Sequence, residues 1–377
     1  MQILADENIP FVKEIFTNLG SIQTVVGRHL NRVNLGKAEI LLVRSVTQVN
    51  EKLLADSAIR FVGTATIGFD HIDLDYLRTQ NIGFANAPGS NAIAVAEYVL
   101  SALLIVAQQQ DFKLHEKTVG IIGCGHVGSQ VLKKLQALGV KCLIHDPPLQ
   151  AKTPNSDYVD LKTVLAADII TLHVPLEKTG HYPTYHLVNR EFLAKLRDDV
   201  ILLNTSRGAV VDEVALLETL DKCPTMTIIL DVWQNEPNIN PLLLQNITLG
   251  TPHIAGYSFD GKVRGTEMLY AAVCDYFQML PTWQTKTSLP EPPLTHLTFS
   301  KMVDDNTAIH TAVMACYDVR NDDAALRRIN HTTQPNTYFD QLRKNYPIRR
   351  EWSCIKIKLP PEKAELATKL QRLGFQI

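Results

Sequence analysis

The chain lacks the features that mark exported, membrane-bound or nucleic-acid-binding proteins. Its six cysteines include no C-x-x-C pair and no ligand-like pairing with histidine, so neither a disulfide framework nor a metal site is indicated. Lysine and arginine total 37 against 39 for aspartate and glutamate, and no run of five like charges occurs, which argues against binding to nucleic acids or membranes through bulk charge. We expect reduced thiols, a cytoplasmic location and no bound metal.

Long uninterrupted apolar segments are also missing. The longest apolar run, residues 92–107, carries Glu97 and is shorter than the roughly 20 residues that a membrane-spanning helix needs. Asp6 and Glu7 stand where a signal peptide would have a basic stretch followed by an apolar one. We therefore interpret residues 92–109 as a buried helix and expect no export.

The composition is that of a globular protein with alternating strands and helices. Hydrophobic residues make up 45% and charged residues 20% of 377 positions, enough for two or three domains. Amphipathic stretches predict helices at residues 11–19, 50–55, 73–79, 92–109 and 130–138. Short apolar runs predict strands at residues 2–4, 41–43, 61–63, 82–84, 118–122, 141–144, 168–173, 200–204, 227–230 and 247–249. This alternation indicates two α/β units with mainly parallel sheets.

The pattern changes near residue 280. A helical stretch over 260–279 is followed by a proline-rich linker that contains Pro281, Pro290, Pro292 and Pro293. The remaining residues predict a helix at 307–319, a strand at 352–359 and a helix that begins at Pro361. They indicate a third, small α+β module.

A glycine-rich loop carries the clearest chemical signal. Gly123, Gly125 and Gly128 follow a predicted strand and open a predicted helix, the context in which a G-x-G-x-x-G loop binds a dinucleotide. The first glycine permits a tight turn, the second lets the backbone approach a pyrophosphate, and the third allows close helix–strand packing. The helix N-terminus offers free N–H groups to the phosphates. Asp146, at the end of the next strand, is placed to accept hydrogen bonds from the adenosine ribose, which favours NAD over NADP.

Three later loops indicate catalysis. Arg207, Glu236 and His253 each lie in a loop that follows a predicted strand. In an open parallel sheet the carboxyl ends of the strands share one edge, where ligands bind. An arginine there can hold a carboxylate, a histidine can move a proton, and a glutamate can orient the imidazole.

The order of these segments resembles a known family. The glycine loop, the Arg207 segment (204–212), Asp-Val-Trp-x-x-Glu-Pro (231–237) and Thr-Pro-His-Ile-Ala-Gly (251–256) are similar to the D-isomer-specific 2-hydroxyacid dehydrogenases over residues 1 to about 280. The resemblance implies NAD as cofactor and hydride transfer from C2 of a 2-hydroxy acid.

Further segments resemble one branch of that family, which oxidises a phosphorylated 2-hydroxy acid in vitamin B6 biosynthesis. They lie at residues 43–47, 63–71, 87–94, 257–266, 317–323 and 342–346. The last two lie outside the common core of the family and therefore discriminate best. Ser90 and the pair Thr205-Ser206 depart mildly from the pattern of the branch and affect no catalytic group.

The resemblance implies a role for each site residue. Arg207 binds the substrate carboxylate, His253 is the acid/base on the 2-oxygen, and Glu236 orients His253 and favours its charged form. Asp231 resembles the residue that contacts the nicotinamide carboxamide. The residues expected to contact the cofactor are Gly123, Gly125, His126, Val127, Gly128, Asp146, Val174, Pro175, Ser206, Arg207, Gly208, Asp231 and Gly256.

On the substrate side, Ser45, Thr66, Tyr257 and Arg207 match positions expected to contact the phosphorylated acid. A substrate with a carboxylate and a phosphate needs more cations than Arg207 alone. The candidates are Arg44 and a basic cluster formed by Arg343, Lys344, Arg349 and Arg350. This cluster is either a solvated face or, as we hypothesise, reaches the phosphate from a partner subunit, because the resemblance implies a homodimer formed through the C-terminal domain.

The same resemblance predicts the domain organisation. Residues 1–95 and 256–284 form a discontinuous substrate-binding domain, residues 96–255 an NAD-binding Rossmann domain, and residues 285–377 a C-terminal dimerisation domain. The predicted fold class is α/β, with two Rossmann-like doubly wound domains and a small C-terminal α+β domain.

Two other functions remain open from the sequence. One is another D-2-hydroxyacid dehydrogenase, such as an enzyme that oxidises 3-phosphoglycerate, for which a differently patterned regulatory tail or none is expected. The other is a non-catalytic NAD-sensing protein similar to the corepressors of this superfamily, which keep even the Arg, Glu and His. The structured pattern of the tail and the segment that begins at Tyr257 favour the phosphorylated hydroxy acid.

Overall fold

The chain forms two compact units in a computed structural model that describes residues 1–153, 157–283 and 289–377. Unit 1 contains Met1–Asn91 and Ser258–Pro290, and unit 2 contains Ala92–Tyr257 and Glu291–Ile377. The predicted domain boundary at 284/285 lies outside the described residues, because residues 284–288 are not described. The predicted proline-rich linker includes these residues and is therefore described only in part. The three-domain division therefore stays a prediction.

The elements alternate along the chain as expected for an α/β fold. The strands are β1 Gln2–Asp6, β2 Ser21–Val25, β3 Ile40–Val43, β4 Phe61–Thr64, β5 Gly83–Ala85, β6 Thr118–Ile122, β7 Lys141–His145, β8 Ile169–Leu172, β9 Ile201–Asn204, β10 Thr227–Leu230, β11 Leu249–Gly250, β12 His296–Thr298 and β13 Lys356–Lys358. The helices are α1 Val12–Phe16, α2 Arg32–Leu35, α3 Glu51–Leu54, α4 Leu74–Thr79, α5 Ala92–Gln109, α6 His126–Ala137, α7 Pro147–Lys152, α8 Leu161–Leu165, α9 Arg190–Leu193, α10 Glu213–Leu220, α11 Pro241–Asn246, α12 Phe259–Tyr276, α13 Asp305–Cys316, α14 Arg320–Arg327, α15 Pro335–Lys344 and α16 Ala364–Leu373.

Several helices begin where the sequence supplies a capping side chain. Asp73, Asp212 and Ser258 accept hydrogen bonds from backbone N–H groups in the first turns of α4, α10 and α12. Such caps satisfy N–H groups that have no partner inside the helix.

Unit 1 is built on a parallel sheet with strand order β2-β1-β3-β4-β5. Strands β3 and β4 are buried along their whole length, as expected for a sheet covered by helices on both faces. Helix α12 contributes Leu269 and Val273 to the apolar cluster on one face, and Leu54 and Leu77 belong to the cluster on the other. The strand order reverses between β1 and β3, so the loops after these strands lie at the switch point where α/β folds bind ligands.

Unit 2 is built on a second parallel sheet, with strand order β11-β10-β9-β8-β6-β7. Its order reverses between β6 and β8, which places the loops after these strands at a switch point. Helix α5 is long and apolar enough to cross a membrane by length and composition alone, but 78% of it is buried inside the protein. The two sheets confirm the predicted α/β class.

The C-terminal residues 291–377 pack within unit 2. Trp352 is fully buried and stacks on Phe375 with ring centroids 5.1 Å apart. Lys134 of α6 lies over the Trp352 ring, with Nζ 4.5 Å from its centroid, and donates a hydrogen bond of 2.6 Å to the Leu373 carbonyl. The C-terminal residues therefore rest on the helix that follows the glycine loop.

Two predicted strands differ from the structure, and two strands, β2 and β12, were missed. The strand predicted at 352–359 is a 3-10 turn at Trp352–Cys354 followed by the shorter β13. The strand predicted at 247–249 is shifted to Leu249–Gly250. Strand β2 was missed because it is a half-exposed edge strand whose residues include Ser21, Gln23 and Thr24, and it therefore has no apolar run.

Candidate active site

The three predicted catalytic loops leave the sheet of unit 2 at one edge. Strands β9, β10 and β11 are parallel neighbours, with Leu203 opposite Ile229 and Ile229 opposite Leu249. The loops that follow them carry Arg207, Glu236 and His253.

Glu236 and His253 form a hydrogen-bonded pair. Nδ1 of His253 lies 2.7 Å from Oε2 of Glu236, and Oε1 of Glu236 accepts a hydrogen bond of 2.8 Å from the Trp233 N–H. Burial alone would raise the pKa of Glu236, but the imidazole of His253, the Arg343 guanidinium and the Trp233 N–H lower it below its usual value. The ionised carboxylate fixes the proton on Nδ1, which leaves Nε2 for exchange with a substrate.

Asp231 holds the loop that carries His253. This carboxylate is 1% exposed; its Oδ1 accepts hydrogen bonds from Thr251 Oγ1 (2.6 Å) and the Ile254 N–H (2.8 Å), and its Oδ2 accepts one from the Ala255 N–H (3.0 Å). Burial raises the pKa of Asp231 above its usual value even against these donors and the nearby charge of His253. Contact of Asp231 with a nicotinamide carboxamide stays a prediction.

His253 has a strained backbone. Its φ is 58°, in the left-handed region that costs a non-glycine residue about 1 to 2 kcal/mol. Its N–H donates to the carbonyls of Asp231 (2.7 Å) and Thr251 (3.0 Å). The conformation therefore depends on contacts that hold the loop, a situation common at catalytic sites.

The Arg207 loop is tied to β9 and packs against the loop after β10. Oδ1 of the buried Asn204 accepts hydrogen bonds from Ser206 N–H (3.0 Å) and Oγ (2.8 Å), and its Nδ2 donates to the Arg207 carbonyl (2.9 Å). A Cβ at Gly208 would lie 1.9 Å from the Trp233 carbonyl carbon. Only glycine permits this approach, so Gly208 places the Arg207 loop beside the loop that carries Glu236.

The glycine loop fits a dinucleotide. Gly123 has φ of 87°, and a Cβ at Gly128 would lie 2.1 Å from the Gly123 carbonyl oxygen, so both positions require glycine. A Cβ at Gly125 would instead project into open space, where a pyrophosphate can approach the backbone. Helix α6 begins at His126 without a side-chain cap, which leaves the N–H groups of His126, Val127 and Gly128 available to an anion.

Asp146 lies at the end of β7, beside this loop. Its Oδ2 accepts a hydrogen bond of 2.7 Å from the Cys124 N–H, and its Oδ1 accepts one of 3.0 Å from the Leu149 N–H at the start of α7. The side chain is therefore fixed at the edge where a ribose would bind. Among residues 1–153, 157–283 and 289–377, no cluster of His, Cys, Asp and Glu is arranged to hold a metal ion.

The loop after β8 faces the glycine loop. The Val174 side chain and the His173 carbonyl lie within 3 Å of the position a Cβ would take at Gly123, and Pro175 follows as an exposed residue. Thr171 Oγ1 lies 2.9 Å from His173 Nε2, and Thr205 Oγ1 lies 3.2 Å from Nδ1. Burial lowers the pKa of His173 to about 3, so this imidazole is neutral.

Tyr257 directly follows Gly256 in the segment between β11 and α12 that also carries His253. Its N–H donates to the Ile254 carbonyl (2.8 Å), and its ring meets that of Tyr346 edge to face at 5.7 Å. The Arg343 guanidinium lies 5.8 Å from the Tyr257 ring centroid. Burial opposes its charge, yet Tyr257 and Glu236 raise the pKa of Arg343.

The basic cluster does not form a solvated face. Arg349 is only 6% exposed, and Arg343 lies beside Tyr257 of its own chain. Lys344 is exposed and Arg350 is half-buried. The cluster thus divides into side chains with different surroundings, because the chain between Lys344 and Arg349 turns into the core of unit 2.

The predicted substrate residues Ser45 and Thr66 belong to unit 1. They follow the adjacent strands β3 and β4 and therefore lie at the same edge of that sheet. Ser45 is exposed, and Thr66 Oγ1 lies 2.7 Å from Thr64 Oγ1 and donates to the Gly68 carbonyl at 2.9 Å. Arg44 Nε forms an ion pair of 3.0 Å with the buried Asp6, and within the described part of the chain this leaves the Arg44 terminal nitrogens for an anion.

Two family models match the chain. One describes the NAD-binding domain of D-isomer-specific 2-hydroxyacid dehydrogenases and matches residues 105–255. The other describes a domain of unknown function (DUF3410) and matches residues 288–374.

Curated relatives match over the full length. The erythronate-4-phosphate dehydrogenase of Hahella chejuensis is 46% identical over 379 residues, which cover 100% of this chain and 99% of that protein. That of Cronobacter sakazakii is 47% identical over 379 residues, 100% of this chain and 98% of that protein.

Solved structures show the same fold. The D-lactate dehydrogenase of Aquifex aeolicus, complexed with NAD and lactic acid, has a TM-score of 0.60 and 26% identity, covering 74% of this chain and 96% of that one. The NAD-bound 3-phosphoglycerate dehydrogenase of Entamoeba histolytica has a TM-score of 0.63 and 22% identity, covering 77% of this chain and 99% of that one. NAD as cofactor is thereby confirmed.

Proposed function

The chain belongs to the erythronate-4-phosphate dehydrogenases among the D-isomer-specific 2-hydroxyacid dehydrogenases, and we propose that it oxidises 4-phospho-D-erythronate with NAD. The product is 3-hydroxy-2-oxo-4-phosphooxybutanoate, and the reaction is a step in the biosynthesis of pyridoxine 5′-phosphate. The observation that carries the proposal is the hydrogen bond of 2.7 Å between His253 and Glu236. Both residues lie in loops that follow strands of the same sheet as the dinucleotide loop.

The chain's residues supply binding, orientation and proton transfer. Nε2 of His253 takes the proton from the C2 hydroxyl as the C2–H bond breaks, and the alcohol becomes a carbonyl. When bound, NAD would supply the acceptor for the hydride that leaves C2. Glu236 keeps the imidazole oriented and stabilises its positive charge after proton transfer.

Arg207 binds the substrate carboxylate through paired N–H donors and polarises the reacting carbon. The residues after β6, together with Asp146 and the Val174-Pro175 turn, bind the dinucleotide, as do Ser206, Gly208, Asp231 and Gly256. Ser45, Thr66 and Tyr257 contact the phosphorylated acid. The enzyme acts as a cytoplasmic homodimer whose C-terminal domains form the interface.

Replacing Glu236 with glutamine should lower kcat about 10-fold and change the pH dependence of kcat/KM. The pKa of Glu236 is depressed, so the wild-type carboxylate is ionised throughout the working range and favours the protonated imidazole. Without that charge the neutral, proton-accepting His253 is populated at lower pH, and the acid limb of the kcat/KM profile moves to lower pH. Glu218→Gln, an exposed acid on α10, is the control. A limb that moves to higher pH would contradict the assignment.

Replacing Asp146 with asparagine should weaken the preference for NAD over NADP. Asparagine keeps an acceptor for the Leu149 N–H, loses the one for the Cys124 N–H, and removes the charge that repels a 2′-phosphate. We expect the ratio of kcat/KM for the two cofactors to fall roughly 10-fold, because one charged hydrogen bond is worth about 1.5 kcal/mol or more. Asp160→Asn, at the exposed cap of α8, is a matched control. An unchanged ratio would remove Asp146 from the ribose site.

The reaction itself is tested with 4-phospho-D-erythronate deuterated at C2. The proposal predicts that the deuterium appears on C4 of the reduced nicotinamide and that the 2-oxo acid accumulates in equal amount. Deuterium released to water, or NADH formed without the 2-oxo acid, would contradict hydride transfer from C2.

A further inference from the structure

The C-terminal residues hold the start of the catalytic loop, defined as residues 251–257. Strand β11, which leads into this loop, is a two-residue edge strand that, among the residues the structure describes, pairs with another strand on one side only. On its open side, the Gly250 N–H donates a hydrogen bond of 2.8 Å to Asp323 Oδ1. Arg327, paired with Asp323 at 2.9 Å, donates to the carbonyls of Leu244 (2.8 Å) and Ile247 (3.0 Å). Helix α14 thus takes the place of a further strand.

A second contact holds the end of the loop. Arg349 Nη1 donates a hydrogen bond of 3.2 Å to the Ala255 carbonyl, and Nη2 donates one of 2.6 Å to the Ala94 carbonyl in the first turn of α5. The N–H of Ala255 is bound to Asp231 at the same time. The peptide groups of Ala255 are therefore fixed from both sides, two residues after His253.

Arg349 is itself held in a buried polar network. Glu97, which is 1% exposed, lies 3.8 Å from Nη2, and its Oε1 accepts a hydrogen bond of 2.9 Å from the Trp352 N–H. The guanidinium carbon lies 3.7 Å from the centroid of the Tyr317 ring. The hydroxyl groups of Tyr317 and Tyr346 donate to Asp322 Oδ2 at 2.8 and 2.9 Å.

Burying these charged groups carries a desolvation penalty, so the network is a poor source of folding stability. A buried ion pair often contributes no more stability than apolar residues of the same size, whereas loss of one partner alone is strongly destabilising. What the guanidinium supplies and an apolar side chain cannot is a pair of directed N–H donors. Here they join two carbonyls that lie far apart in sequence, those of Ala94 and Ala255.

We propose that residues 291–377 brace the catalytic loop of their own chain and that Arg349 is a positioning residue for His253. By fixing the Ala255 carbonyl against α5, Arg349 keeps His253 in its left-handed conformation and within hydrogen-bonding distance of Glu236. The inference rests on the proposed function, in which His253 exchanges the substrate proton. It gives the C-terminal residues a task within one subunit.

The test compares Arg349→Lys and Arg349→Met in the full-length enzyme. Lysine keeps the charge but cannot bond both carbonyls in the same geometry. Both variants should lower kcat about 10-fold or more, since a displacement of about 1 Å in an active site can cost up to 10²-fold. The KM for NAD should change less than kcat does, because most of the residues assigned to the cofactor, including the glycine loop and Asp146, lie outside the loop that Arg349 holds. Arg320→Met is the control, an exposed arginine on α14 that pairs with Asp318.

A double variant separates positioning from stability. Glu97→Gln combined with Arg349→Met removes both charges of the pair, so its melting temperature should recover toward that of the wild type while kcat stays low. Recovery of kcat together with stability would overturn the proposal, because Arg349 would then act only through folding.

An NMR titration of the His253 imidazole, assigned with His253→Asn, provides a readout without turnover. In Arg349→Lys its midpoint should move to lower pH as the hydrogen bond to Glu236 weakens. If both the midpoint of the His253 titration and kcat are unchanged in the variant, Arg349 does not position His253 and the proposal is wrong. A wild-type enzyme that fails to oxidise 4-phospho-D-erythronate would refute the substrate instead, and the titration would still decide the role of Arg349.

Discussion

Replacing His253 with asparagine should lower kcat about 10³-fold and leave the affinity for NADH within a fewfold of the wild type. General acid–base catalysis by a positioned side chain contributes about 10² to 10⁴ to the rate. Asparagine can still accept a hydrogen bond from the substrate hydroxyl, but it cannot take the proton. The N–H of residue 253 and its bonds to Asp231 and Thr251 are retained, and asparagine tolerates a positive φ better than most residues.

The measurement is steady-state kcat with NADH affinity by fluorescence titration. His296→Asn, at an exposed position on β12, is the matched control and should behave as the wild type. If His253→Asn keeps a kcat within a fewfold of the wild type, another group removes the proton and the assignment is wrong.

Replacing Arg207 with lysine should lower kcat/KM for the hydroxy acid about 10²-fold. Lysine retains the positive charge but cannot form two parallel hydrogen bonds to a carboxylate. The Arg207 side chain also donates a hydrogen bond of 2.8 Å to the Ser206 carbonyl, which lysine cannot reproduce while it faces the substrate. The larger part of the loss should therefore appear in the KM for the acid.

The Arg207 variant is compared with Arg190→Lys, an exposed arginine paired with Glu218 at 2.6 Å. Saturation curves for the acid and for NAD are measured separately. A loss confined to NAD would place Arg207 in the cofactor site only.

Most of the fold followed from short apolar runs, because strands buried on both faces must be apolar over their whole length. Strands β3, β6 and β10 were therefore evident from sequence. Strand β2 was not, since a half-exposed edge strand tolerates Ser21, Gln23 and Thr24. Trp352 was assigned to a strand, although it sits in a 3-10 turn held by the bond of its N–H to Glu97.

The candidate site was predictable where its loops follow strands and not where it depends on tertiary contacts. The three loops with Arg207, Glu236 and His253 were predicted to share one edge because each follows a buried strand, and the structure places their strands side by side. The hydrogen bonds of Asp231 to residues 251–255 join segments about 20 residues apart, and no sequence pattern predicts them.

The buried position of Arg349 could have been suspected from the sequence, through Glu97. Glu97 stands alone in an apolar helix, and a carboxylate at such a position needs a buried cation or must become neutral. Burial raises the pKa of Glu97 to about 7, against the opposing charges of Lys134 and Arg349. A search for the partner of Glu97 would have led into the basic cluster, but its members could not be ranked without the structure.

The most direct test of the whole account is the initial rate of NADH formation from 4-phospho-D-erythronate, compared with 3-phosphoglycerate and D-lactate. A 2-oxo acid acceptor is included so that tightly held NADH does not hide turnover. The account predicts that kcat/KM is highest for the erythronate and exceeds that for D-lactate by at least about 10²-fold, because a site built for a phosphate and a carboxylate leaves charged groups unpaired with D-lactate. Preference for 3-phosphoglycerate would contradict the substrate, and NAD binding without turnover on any of the three acids would contradict the enzyme.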